Sequence, residues 1–163
     1  MAKAQVFSLD VIIGAGVLLA LFTVYFISLS DFSLRATAFE SYRSAKLAAL
    51  EASKALAESP GESAAWHALA QANASTIHSI GLTGQARLME NEKLARFSAT
   101  DYNESKELLG LSGFEFRLSL YSPNRTLLYS AGLEPQPEIQ TIVVERIVLL
   151  NNSPAKLKLE VWK

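Results

Sequence analysis

Few side chains in this sequence are of a type and spacing that could do chemistry. Asp10 is a carboxylate at the head of 19 uncharged residues, Val11 to Leu29. Left unpaired at the edge of hydrocarbon it would be costly, so it calls for a cation or an interfacial position. Asn73, Asn103, Asn124 and Asn151 each open an N-x-S/T triplet, the acceptor pattern for N-linked glycan. Pro154 directly after Ser153 compromises the fourth, leaving Asn73, Asn103 and Asn124 as the glycosylation candidates. His67 and His78 are eleven residues apart with no carboxylate at metal-ligand spacing, and they read as surface or packing residues.

The remaining chemistry is excluded or unsupported. The chain has no cysteine, so disulfides, zinc thiolates and iron–sulfur clusters are ruled out. Gly110-Leu111-Ser112-Gly113 lacks the spacing of a nucleophile elbow, and no phosphate-binding loop or dinucleotide fingerprint is present. Asn103-Glu104-Ser105 and Glu107 offer polar groups without a triad, and Tyr102, Trp66 and Trp162 read as packing aromatics. No catalytic residue, cofactor or metal is therefore expected, and the chain reads as a non-enzyme. The balance of 15 basic and 16 acidic residues, without a basic excess, argues against a nucleic-acid partner.

The elements that position these residues follow from periodicity. Val11 to Leu29 covers about 28 Å as a helix, close to the hydrocarbon thickness of a bilayer. From Phe32 to Glu58 the chain is rich in helix formers. Phe39, Tyr42, Ala45, Ala49, Ala52 and Leu56 recur at intervals of three and four as one apolar face, with Glu40, Arg43, Glu51, Lys54 and Glu58 opposite. Nothing breaks the helix before Ser59-Pro60-Gly61, so membrane and amphipathic segments read as one rod, Val6 to Glu58.

Beyond the rod, 134 residues follow the apolar run, enough for one domain with a modest core. Short helices are expected at Trp66–Ala74, Glu90–Phe97 and Tyr102–Leu109, the last capped by Thr100 or Asp101 and closed by Gly110. Ile77, Ile80, Leu82, Leu94, Phe97, Leu108 and Leu109 are expected inside. From Phe114 the period changes to two. Strands are expected from Phe114 to Tyr121, Thr126 to Ser130, Thr141 to Leu150 and across Leu157–Val161, with turns at Ser122–Arg125 and Asn151–Pro154. The expected class is α+β. A long N-terminal helix, membrane-spanning and then amphipathic, precedes short helices and a C-terminal antiparallel meander of about four strands.

The start of the chain, Lys3-Ala4-Gln5-Val6-Phe7-Ser8-Leu9-Asp10 ahead of the apolar run, resembles the class III signal peptide of archaeal type IV pilins. The resemblance implies cleavage by a prepilin peptidase between Ala4 and Gln5, with the apolar helix kept on the mature protein. Asp10 would be the sixth mature residue, where the family usually has its acidic residue at the fifth. Its implied role is to pair with the terminal amine of a neighbouring subunit, at Gln5. Glu92 to Phe97, Asp101 to Leu111, Val144 to Leu149 and Leu157 to Trp162 also look like segments of uncharacterised archaeal pilin-like proteins, which import no known chemistry. Gly14 and Gly16, with Ala15 and Ala20, would let such helices approach closely, although Gly is also common in membrane helices.

These observations divide the chain into a leader (1–4), a membrane or filament-core helix (5–30), its amphipathic continuation (31–59) and an extracellular head (60–163). Within the head, 62–110 is expected to be helical and 113–163 a sheet. Lys and Arg counts do not fix the orientation, since Arg35, Arg43 and Lys46 follow the span. The short N-terminal side and the glycan acceptors favour a head outside the cell, which in an archaeon is where N-glycan is displayed. Two functions fit. One is a major or minor pilin, held in lipid before assembly and then packed against copies of itself or other pilins in a surface filament. The other is a single-pass anchored surface protein whose adhesive head does not polymerise. The amphipathic continuation favours the first, because a simple anchor needs only a flexible tether.

Overall fold

The computed structural model describes residues 2–62, 65–68, 77, 79–85 and 87–163, and for residues 2–10 and 85 the backbone alone. It divides into two compact units, residues 1–42 and 43–163. Helix α1, Ala2–Glu58, supplies all of the first unit that is described and the opening segment of the second.

In the first unit the apolar side chains face outward. Val11, Leu18, Phe22, Phe26 and Phe32 are all more than half exposed. The few polar side chains in this run are satisfied within the helix. The hydroxyls of Thr23, Ser28 and Ser30 donate to the carbonyls of Leu19 (2.8 Å), Val24 (2.9 Å) and Phe26 (2.9 Å), one turn back. Charge resumes with Asp31, whose carboxylate meets Arg35 at 2.9 Å across one turn.

The second unit begins where the apolar stripe of α1 becomes buried. Ala45, Ala49, Ala52 and Leu56 are in the core as expected, joined by Ala57 and the hydroxyl-bearing Ser53. Phe39 and Tyr42, expected on the same face, are 68% and 43% exposed and lie in the first unit. The helix ends at Glu58 before Ser59-Pro60-Gly61, where Gly61 takes φ +90° and its N–H donates to Ser59 Oγ at 3.0 Å. Two carbonyls of the last turn find partners in the following chain. Leu82 N–H reaches Leu56 O at 3.2 Å, and Arg87 N–H reaches Ala57 O at 3.0 Å.

The region expected to be helical from 62 to 110 is only partly so. Trp66–Ala68 is a single 3-10 turn, and the rest of the expected Trp66–Ala74 helix lies outside the described residues. Two short strands follow, β1 (Thr83–Gln85) and β2 (Leu88–Met89), and then α2 (Asn91–Ala99) and α3 (Tyr102–Leu108). Asp101 caps α3, accepting the N–H groups of Asn103 (2.8 Å) and Glu104 (3.4 Å). Gly110, at φ +69°, follows the helix end. Ile77, Ile80, Leu82, Leu94, Phe97, Leu108 and Leu109 are all buried, as their pattern demanded.

Four longer strands complete the fold: β3 (Glu115–Tyr121), β4 (Leu127–Gly132), β5 (Ile142–Leu150) and β6 (Ser153–Trp162). The sheet therefore has six strands rather than about four, in the order β1-β2-β5-β6-β3-β4. It is mixed and curled, since β2 runs parallel to β5 through Leu88↔Leu149 and Met89↔Leu150. The C-terminal strands do pair antiparallel, but not as a meander. β6 lies between β5 and β3, and the β4–β5 connection crosses to a strand that is not its neighbour. A turn of two residues rather than four joins β5 to β6. Asn151 and Asn152 take φ +52° and +61°, as a two-residue hairpin requires, and Ser153 already pairs with Leu150.

Alternation assigns the two faces of the sheet. Phe116, Leu118 and Leu120 of β3 and Leu157, Leu159 and Val161 of β6 point into one core with Ala49, Ala52, Leu56, Leu94 and Phe97. Each large side chain buried this way contributes about 1.5–3 kcal/mol. Trp66 belongs to the same core and donates its indole N–H to Gly81 O at 2.9 Å. Gly81 allows this crossing, because a Cβ there would overlap the Ser59 carbonyl. Lys93 is fully buried beside them, its ammonium donating to Thr83 O (2.8 Å) and Pro60 O (3.1 Å) with Glu90 Oε2 at 3.3 Å. One cation thus ties the end of α1, β1 and α2 together.

Candidate assembly helix and surface sites

The expected processing residues Lys3, Ala4 and Gln5, and the expected assembly residue Asp10, all lie within the first three turns of α1. Directly after them come the exposed apolar turns. Among the described residues α1 is the one helix long and apolar enough to cross a membrane, and its most apolar stretch buries nothing within the chain. Gly14 and Gly16 are informative here. A Cβ at either position would meet nothing within 4 Å, so no contact inside this chain requires glycine at them. Their flat surface is available to a helix outside the chain.

The three glycan acceptors differ in their settings. Asn73 lies outside the described residues. Asn103 is exposed on α3, but the hydroxyl-bearing residue of its triplet, Ser105, is buried in the folded head. Asn124 stands in the Ser122–Arg125 turn, closed by Arg125 N–H to Ser122 O at 2.9 Å, and both Asn124 and Thr126 are exposed. The fourth triplet is engaged in the fold, since Asn151 Oδ1 accepts from Asn91 Nδ2 at 2.8 Å.

The ionisable side chains form structural clasps. His67 Nε2 lies 3.3 Å from Glu92, and His78 is outside the described residues; no group of three potential metal ligands occurs among the described residues. The tightest cluster joins α3 to β3. Tyr102 Oη donates to Glu115 Oε2 at 2.6 Å and accepts the Phe116 N–H at 3.0 Å, while Lys106 meets Glu115 Oε1 at 2.7 Å. Burial first, and then the hydrogen bond to Glu115, push the Tyr102 phenol up to about 12. The hydrogen bond from Lys106 and then that from Tyr102 hold the Glu115 carboxyl below its ordinary value. Burial also raises the Tyr129 phenol, whose hydroxyl donates to Leu94 O at 3.1 Å. The phenol, the carboxylate and the ammonium thereby hold α3 against β3.

The feature that periodicity did not single out is on the outer face of the sheet. A groove of about 460 Å³ lies where the β3–β4 turn meets the near ends of β5 and β6. Tyr121, Ile147 and Pro154 give it apolar walls, and Arg125, Lys156 and Lys158 give it cations. Among the described residues Glu145 is the one carboxylate lining the groove, and Lys156 takes it at 3.1 Å. Lys158 pairs with Glu160 at 2.8 Å. Ser119, opposite Lys158 in the β3–β6 register, shares this face and has a fully buried hydroxyl with no hydrogen-bond partner among the described residues. The alternation Lys156, Lys158 signals an outward face in the sequence, but the convergence of Arg125 and Ile147 on it depends on strand order.

The chain matches no family model, no curated protein and no solved structure.

Proposed function

We propose that the protein is a structural subunit of an archaeal type IV pilus-like surface filament, assembled through α1 after removal of residues 1–4. The observation that carries this reading is the change of environment along one helix. Its turns from Val11 to Leu29 are exposed and apolar, whereas Ala45, Ala49, Ala52, Leu56 and Ala57 of the same helix are buried in the second unit. An apolar surface of that extent needs lipid or other helices around it. In this reading it has lipid first, and copies of itself or other pilins afterwards.

Asp10 then selects register by pairing with the Gln5 amine of a neighbour, since a carboxylate inside a helix bundle demands a cation. Gly14 and Gly16 supply the close approach. The head stands outside the cell and carries glycan at Asn124, whose whole triplet is exposed.

The test is the intact mass and N-terminal peptide of the protein extracted from its host membrane, alongside an Asp10→Ala variant. A chain beginning at Gln5, with Asp10→Ala inserting normally but absent from filaments, is the expected result. A chain that retains Lys3 and Ala4 would overturn the processing claim and leave an anchored surface protein.

A further inference from the structure

The groove on the outer face has a counterpart elsewhere on the same head. The connection after β4 reads Leu133-Glu134-Pro135-Gln136-Pro137-Glu138, two carboxylates spaced by two prolines that limit its conformational freedom. It bends at a turn closed by Ile139 N–H to Gln136 O at 3.1 Å, and Leu133, Glu134, Gln136, Pro137 and Glu138 are all exposed. Glu134 pairs with Arg117 at 2.7 Å yet keeps its side chain 80% exposed.

Loop and groove lie at opposite ends of the strands. The loop leads from Gly132, which pairs with Arg117, to Ile142, which pairs with Val161. The groove lies beside Tyr121 and the Ile147↔Lys156 pair. Ile147 lies five positions beyond Ile142 along β5, roughly 17 Å of strand. No residue of the loop lines the groove of its own head, and a second copy can supply one. We propose that the groove receives the Leu133–Glu138 loop of a neighbouring copy. Glu134 and Glu138 then face Arg125, Lys156 and Lys158, and Leu133 and the prolines lie against Tyr121, Ile147 and Pro154.

Reciprocal exchange of loops would close on a dimer, but copies related as neighbours along a filament meet loop to groove in one direction, so there the contact is heterologous and propagates. So small a contact is weak between free heads. It becomes effective when packed helices hold the copies at high local concentration, and in this it rests on the assembly reading above.

The absence of cysteine makes the contact directly testable. Gln136→Cys and Ile147→Cys, both at exposed positions, are introduced together into the full chain in its host, and the membranes and filaments are oxidised. The expected result is a ladder of disulfide-linked trimers and longer species that neither single variant produces. Adding Lys156→Glu with Lys158→Glu should reduce the ladder at least tenfold, and Glu134→Lys with Glu138→Lys should restore part of it.

Filaments are sedimented in parallel. Filaments without a ladder would overturn the head contact and leave assembly intact, and a ladder without filaments would uphold the contact and overturn assembly. Loss of both overturns assembly and, with it, the contact that rests on assembly. A ladder indifferent to charge reversal, with binding to heparin lost instead, would overturn the proposed occupant in favour of an anionic polymer.

Discussion

Arg146, in the middle of β5, reaches the last turn of α1. Its Nε donates to Ser53 Oγ at 2.9 Å and its Nη1 lies 3.1 Å from Glu58 Oε1. Arg87 approaches the same carboxylate oxygen at 3.9 Å. The strand that continues the sheet is thereby pinned to the end of the long helix by a planar donor fork.

Replacing Arg146 by Met should keep most of its packing while leaving Ser53 and Glu58 without this donor. The expected loss is about 1–2 kcal/mol, moderated because both ionic groups retain some solvent. Urea unfolding followed by circular dichroism in detergent reads it directly. A double-mutant cycle with Glu58→Gln should show coupling, and simple additivity would mean the pair contributes only packing.

The Tyr102–Glu115–Lys106 cluster should give the head a pH signature at both limits. Glu115 titrates lower in the folded state than unfolded, so its contribution is present above the ordinary value of 4.5 and is lost as pH falls through the depressed value. Tyr102 titrates higher when folded, at about 12 against 10.0 unfolded, so its contribution is present below 10.0 and is lost as pH rises towards 12. Glu115→Gln should flatten the acid limb of a melting-temperature profile by the equivalent of less than about 1 kcal/mol, given that carboxylate's exposure. Tyr102→Phe should flatten the alkaline limb, leaving the part that the buried Tyr129 phenol contributes. Unchanged slopes in both variants would show that other groups set the profile.

Glycan occupancy should follow exposure of the whole acceptor triplet. Asn124→Gln is expected to remove glycan mass from the protein isolated from its host, whereas Asn103→Gln should leave that mass unchanged, since Ser105 is buried on α3. Intact-mass spectrometry distinguishes the two, and the opposite ranking would show that transfer precedes formation of α3.

Much of this architecture was legible because its signals are local. The stripe Ala45, Ala49, Ala52, Leu56 and the alternation in Phe116, Leu118 and Leu120 each report which face is buried, and each is buried. Asp101 and Gly110 marked the ends of α3 because capping chemistry acts over one turn. Four aspects were not legible. The stripe on α1 continues back through Phe39 and Tyr42 in spacing, but spacing cannot show where covering elements stop. β1 and β2 have only three and two residues, too short for alternation to register, and they form because β5 and the chain after α1 offer backbone partners. Glu58 read as solvent-facing because its partner Arg146 is 88 residues away. The outer groove escaped for the same reason, its walls coming from a turn and two strands brought together only by strand order.

The hydroxyls of Thr23, Ser28 and Ser30 give α1 a property that bears on how it changes surroundings. Each spends its proton on its own helix, which leaves the exposed Tyr25 hydroxyl as the side-chain donor that surroundings of Val11–Leu29 would have to satisfy. If lipid neighbours are exchanged for protein ones along this stretch, as the assembly reading requires, the three aliphatic hydroxyls neither gain nor lose a partner, and van der Waals fit, lipid entropy and that one phenol set the balance.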